Sequence, residues 1–193
     1  MKNALPFVFA VMTIFGLTSC QKENCGNMDC LNGGYCESGF CQCPDGYTGA
    51  DCGQQIAPKE VQVYKIEITH FAAATASNQN WDPTGAPDLM PRLYLNDVCL
   101  WSCTEVMEDA NPHVVYEHNL VPCINLYVPK GAYTLRLEDY DGPQGNAMAT
   151  DQVIVNDIVG EATFTPYTGN GFPTMLQANN GNMEVKLYVM YRW

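Results

Sequence analysis

The stretch Tyr133-Thr134-Leu135-Arg136-Leu137-Glu138-Asp139-Tyr140-Asp141-Gly142 decides how most of this chain is read. Over its first six residues apolar and polar side chains alternate, the period of a strand with one face buried. The alternation then stops in Asp139-Tyr140-Asp141-Gly142, a turn-forming sequence, because Asp side chains bond their own backbone and Gly admits positive φ. A strand running into an acidic turn is therefore the unit to look for elsewhere.

The same pattern recurs on both sides. Ile66-Glu67-Ile68 and Ile124-Asn125-Leu126-Tyr127-Val128 alternate. Leu93-Tyr94-Leu95 and Val98-Cys99-Leu100-Trp101 flank Asn96-Asp97, a two-residue hairpin signal. Residues 153–155 and 162–164 are shorter apolar runs, and Met183-Glu184-Val185-Lys186-Leu187-Tyr188-Val189 alternates again near the end. No segment sustains a capped 3.6-residue period. Seven or eight short strands separated by Pro, Gly, Asn and Asp predict an all-β domain over residues 59–193, an antiparallel β-sandwich.

Five aspartates stand at the ends of these strands. Asp82 and Asp88 are spaced D-x5-D before the strand at Arg92, Asp139 and Asp141 form D-x-D after the strand at Tyr133, and Asp157 opens Asp157-Ile158-Val159-Gly160-Glu161. Six to eight oxygen ligands suit a hard divalent cation such as Ca2+. Without a cation, carboxylates held that close would repel and raise one another's pKa. Taken singly, Asp-Pro and Asp-x-Asp-Gly are also ordinary turn formers. In this order the motifs resemble the C2 domain, whose D-x5-D loop, D-x-D loop and later aspartate they match. The resemblance implies a C2-like β-sandwich with Asp82, Asp88, Asp139, Asp141 and Asp157 as Ca2+ ligands. Asn111-Pro112 also falls where that family has Asn-Pro, but Val114 replaces its tryptophan. The gap from Asp141 to Asp157 is longer than usual, so Asp151 is an alternative ligand. A C2-like fold that has lost calcium is the competing expectation.

Upstream lies a cysteine array, Cys25, Cys30, Cys36, Cys41, Cys43 and Cys52. A segment this short, with so few large apolar residues, needs cross-links, which persist in an oxidising compartment. Six cysteines allow fifteen pairings, and spacing alone does not choose among them. A zinc knuckle is disfavoured because no histidine falls in the stretch. Asn32-Gly33-Gly34, Cys41-Gln42-Cys43 and Pro44-Asp45-Gly46-Tyr47-Thr48-Gly49 resemble an EGF-like module. That resemblance implies Cys25–Cys36, Cys30–Cys41 and Cys43–Cys52, each loop contributing roughly 2–3 kcal/mol in the chain-entropy model. The calcium-binding subtype of that family carries acidic residues just before its first cysteine, where only Glu23-Asn24 stands here, so the resemblance implies no metal in this small disulfide-stapled module.

The amino terminus carries Lys2, then an apolar run from Ala4 to Leu17 that is too short to span a bilayer but fits a signal peptide. It ends in Leu17-Thr18-Ser19-Cys20, which resembles a bacterial lipobox and implies diacylation of Cys20. Acyl chains hold a protein at the membrane by about 0.8 kcal/mol per buried CH2. Gln21-Lys22-Glu23 resembles the short tract that sends some lipoproteins to the outer face. The expected organisation is a signal peptide at 1–19, a tether at 20–24, the EGF-like module at 25–52, a linker at 53–58 and the sandwich at 59–193, displayed by an outer-membrane lipoprotein at the cell surface.

The formal net charge is -12, and loss of Lys2 with the leader makes it -13. Nucleic acid is therefore not an expected partner, since phosphate binding needs clustered Lys and Arg. The seven basic residues of 59–193 are scattered among sixteen acidic ones, which also disfavours an anionic lipid surface as a second contact. No nucleophile elbow, phosphate loop or HExxH helix occurs, and no cleft for a glycosidase carboxylate pair is evident. The expectation is a binding or adhesion module rather than an enzyme, with a protein or glycan partner. A calcium-free structural subunit of an outer-membrane assembly is the alternative. Cys99, Cys103 and Cys123 remain. Cys99 and Cys103 lie too far apart along one strand to bridge, so any disulfide joins Cys123 to one of them, and otherwise all three are thiols. His70, His113 and His118 show no ligand spacing, and Trp81 and Trp101 read as packing residues.

Overall fold

The computed structural model describes Gly26 and residues 29–82, 85–140 and 157–193. Cys20, Cys25, Asp141, Asp151 and the expected strand at 153–155 lie outside the described residues. All regular structure among those described is β, and every strand pairing is antiparallel.

The cysteine module is two small ribbons. Strands β1 (Tyr35–Glu37) and β2 (Phe40–Gln42) place Cys36 opposite Cys41. Ser38 and Gly39 join them with φ of 53° and 89°, the two positive angles a tight hairpin needs to match strand twist. Strands β3 (Tyr47–Thr48) and β4 (Gln54–Gln55) form the second ribbon. Disulfides join Cys30 to Cys41 and Cys43 to Cys52, and Cys36 is disulfide-bonded too. The partner expected for Cys36, Cys25, is one of the residues not described. Cys52 is fully buried, so a cystine forms the centre of a segment that lacks an apolar core of its own.

The remainder is a sandwich of two four-stranded sheets. β5 (Glu60–Phe71), β8 (Tyr116–Leu126), β11 (Met175–Asn179) and β12 (Met183–Arg192) make one sheet in the order β11-β12-β5-β8. β6 (Leu89–Leu95), β7 (Val98–Ser102), β9 (Tyr133–Asp139) and β10 (Asp157–Phe164) make the other in the order β10-β9-β6-β7. The central strands carry the alternation into the core. Tyr133, Leu135 and Leu137 of β9 face Met183, Val185, Leu187 and Val189 of β12 and the inward residues of β5. Each such aliphatic side chain contributes about 1.5–3 kcal/mol on burial. In β5 the buried residues run Val61, Val63, then Ile66, Ile68. A β-bulge between Val63 and Lys65 supplies the extra residue that shifts the inward phase. Asn96 and Asp97, at φ of 50° and 62°, close the β6–β7 hairpin in the same way as Ser38-Gly39.

The two parts are packed together. Phe172, in the loop after β10, meets Tyr167, Tyr191 and Trp193 with ring centroids 5.5, 5.3 and 5.1 Å away. Tyr47 of the module adds an edge-on contact to Phe172 at 5.5 Å. Such pairs are worth roughly 0.5–1.5 kcal/mol each beyond their burial. Gly46 is buried beneath these rings at φ 87°, and a Cβ there would lie 2.6 Å from Phe172 Cε2. Gly171 N–H donates to Gln55 Oε1 at 3.1 Å, and Lys59 N–H donates to Arg192 O at 2.7 Å. The linker at 53–58 is thus held at both ends.

Candidate acidic site

Strand pairing brings three of the expected aspartates to one end of the β10-β9-β6-β7 sheet. Asp139 ends β9 on the inward row that contains Tyr133, Leu135 and Leu137, so a carboxylate occupies a core-facing position with 1% exposure. Its register partners are Asp157 at the start of β10 and Leu89 at the start of β6. Asp88 therefore sits one residue before the same row. A buried carboxylate must be compensated. Asp88 N–H donates to Asp139 Oδ1 at 2.8 Å, and Tyr140 N–H donates to Asp88 O at 2.7 Å.

The segment between β7 and β8 crosses over this end. Leu89 and Met107 exchange both backbone hydrogen bonds, and Ala110 N–H donates to Pro87 O. The crossing delivers Asp109, whose N–H donates to Asp88 Oδ1 at 2.8 Å. Asp109 Oδ1 in turn accepts from Ala86 N–H at 3.4 Å. Asp109 is a fourth carboxylate of this end that sequence reasoning does not find. It lies twenty-one residues from Asp88 and carries no motif of its own.

The remaining expected residues are placed less closely. Asp82 is half-buried on the loop that leads to Asp88. Asp157 is exposed and opens β10, at the strand end where the sequence places it. Among the described residues no three His, Cys, Asp or Glu side chains converge closely enough to hold a metal ion. The donors that are present are carboxylate oxygens, the chemistry a hard cation requires.

Next to Asp139, Glu138 faces the opposite side of β9. Arg92 Nη1 pairs with it at 3.1 Å and Tyr94 O–H donates to it at 2.7 Å. Burial, and then the hydrogen bond to Glu138, push the Tyr94 hydroxyl above its usual pKa. Arg136 pairs with Asp97 at 3.1 Å and Glu161 at 3.2 Å, and Lys65 pairs with Glu67. Much of the scarce basic charge is thus committed to carboxylates of the sandwich itself. Cys99, Cys103 and Cys123 are all free thiols, with Cys99 exposed and the other two partly covered.

No family model matches the chain, and no curated protein matches it significantly. Among solved structures it is similar to one described as a C2 domain, at 12% identity and a TM-score of 0.39, over 67% of this chain and 94% of the other. It is also similar to a C2 domain of a plant extended synaptotagmin 1, at 12% identity and TM-score 0.36, over 72% and 99%. A human GIVD cytosolic phospholipase A2, in complex with an inhibitor and terbium chloride, is similar at 14% identity and TM-score 0.43. That match spans 70% of this chain but only 18% of the phospholipase. These are loose likenesses of fold, and the reading of the acidic end rests on its own geometry.

Proposed function

We propose that this chain is a membrane-tethered binding lipoprotein whose C2-like sandwich takes a calcium ion at its acidic end and presents that end to a protein or glycan. The observation that carries the reading is Asp139, a carboxylate in a core-facing row beside Asp157, with Asp88 bonded to it and Asp109 bonded to Asp88. A cation there would draw its oxygen ligands from Asp88, Asp139 and Asp157, with Asp82 and Asp141 as the further expected donors. A native-state ligand raises stability by mass action, about 2.7 kcal/mol at a hundred times its Kd. Melting in calcium against melting in chelator is the test, and the expected result is a higher Tm in calcium.

The second reading, a calcium-free structural subunit, has its own support. Asp88 Oδ1 and Asp139 Oδ1 already accept backbone N–H groups. A Tm that does not depend on millimolar calcium would favour it.

The tether belongs to the same proposal. The pairings Cys30–Cys41 and Cys43–Cys52 support an EGF-like module, which with Cys20 just ahead of it forms a short foot on the membrane. Internal pairing of Arg92, Arg136 and Lys65 leaves little basic charge for anionic lipid, which supports an outward-facing partner over a second membrane contact. Cys20→Ala should move the protein from the membrane fraction to the soluble fraction of its host and remove acyl mass from the chain. Unchanged fractionation and mass would end the lipoprotein reading.

A further inference from the structure

The two sheets leave a groove open along one edge of the sandwich, between β7 and β8. It measures about 790 Å3, a size that suits a small ligand. Cys103, His118 and Cys123 line it, with Glu105 and Glu117 as its acidic groups. Within it His118 touches sulfur through both ring nitrogens. Nε2 lies 3.3 Å from Met107 Sδ, and Nδ1 lies 3.8 Å from Cys103 Sγ.

Those two contacts favour one tautomer. A thioether has no hydrogen to donate, so the Met107 contact is a hydrogen bond only if Nε2 carries the proton. Nδ1 is then a lone pair aimed at the Cys103 thiol. Burial also lowers the pKa of His118, against the weaker opposing pull of Glu105, which keeps the imidazole neutral with one nitrogen lone pair free to take a proton. A nucleophile beside a base whose far side is oriented by a third group is the general arrangement of an activated thiol, and its hydrogen bond is often loose before substrate binds.

We propose that Cys103 is a base-assisted thiol that undergoes thiol–disulfide exchange with a small, peptide-sized disulfide bound in this groove. The Cys103 proton passes to His118 Nδ1. The thiolate attacks one sulfur of the incoming disulfide, whose S–S bond breaks as the bond to Cys103 forms. The departing thiolate takes the proton back from the imidazolium. One half of the disulfide leaves as a thiol, the other stays on Cys103, and no external oxidant is consumed. Cys99 lacks this arrangement. Its Sγ lies 3.4 Å from the Trp101 carbonyl oxygen, and it is the most exposed of the three thiols.

Exposure and activation therefore give opposite orders of reactivity. Incubating the whole chain with oxidised glutathione, then locating mixed disulfides by peptide mass over time, distinguishes them. Cys103 should react faster than Cys99, and His118→Gln should slow Cys103 about tenfold or more while leaving Cys99 unchanged. Cys99 is thus an internal standard for an intact fold. The 15N shifts of His118 in the unmodified protein give a second readout, and the proton should be on Nε2. Faster reaction at Cys99, an unchanged Cys103-to-Cys99 ratio in His118→Gln, or a proton on Nδ1 would each overturn the proposal.

Discussion

Leu137→Ala should destabilise the sandwich by about 2–5 kcal/mol, the range for a buried leucine replaced by alanine. Leu137 has no exposed surface and lies in a central strand, with Pro91 of β6 on one side and Gly160 of β10 on the other. The strands on both sides are paired with β9, which limits how far the cavity can close by strand movement. For a domain of this size the loss corresponds to a drop in Tm of roughly 5–20 °C. Val121→Ala is the control. That side chain is 95% exposed, and its truncation should change stability by less than about 0.5 kcal/mol. Denaturant unfolding of both variants checks the pair. A loss below about 1 kcal/mol for Leu137→Ala would mean that β9 does not occupy the core.

Gly46→Val should release the cysteine module from the sandwich. The substitution is blocked twice. At φ 87° a β-branched side chain is strained, by about 1–3 kcal/mol. Its Cβ would also lie 2.6 Å from Phe172 and 2.7 Å from Trp193, so the aromatic cluster must give way. The linker then loses what holds it, including the bond from Lys59 N–H to Arg192 O. Trypsin cleavage after Lys59 reads this directly, because proteolysis follows the population of the opened state. The variant should be cut about tenfold faster than the parent, with the Cys30–Cys41 and Cys43–Cys52 disulfides intact. Equal rates would show that the two parts move independently and that the module is a free spacer.

The ease with which each strand is read follows from its place in the sheet. β9 and β12 are central, so their inward rows are apolar up to Asp139 at the end of β9 and alternate in plain view. β5 is central too, yet only Ile66-Glu67-Ile68 is legible. The bulge after Val63 changes the phase, and a strict period of two breaks there. β8 and β11 are the edge strands of their sheet and bury few residues each, so little apolar signal marks β11 and the first half of β8. The acidic end is legible in part. Asp88, Asp139 and Asp157 stand at strand ends in the sequence, and register then sets Asp139 beside Asp157 and one residue from Asp88. Asp109 reaches the same place through a backbone N–H, a contact with no sequence signature. The pairing of Cys103 with His118 is equally silent, because it joins two edges of opposite sheets and depends on how the sandwich closes.

Calcium titration of the whole chain by calorimetry, for the parent and for Asp157→Asn, is the most direct measurement of the central claim. Asp157 suits the purpose because it is exposed, so its replacement removes a ligand without opening the core. Saturable binding of one ion by the parent, weakened about tenfold or more in Asp157→Asn, is the result expected of a carboxylate site. Absence of binding at millimolar calcium, or equal affinity in the two proteins, would contradict a calcium site at this end of the sandwich.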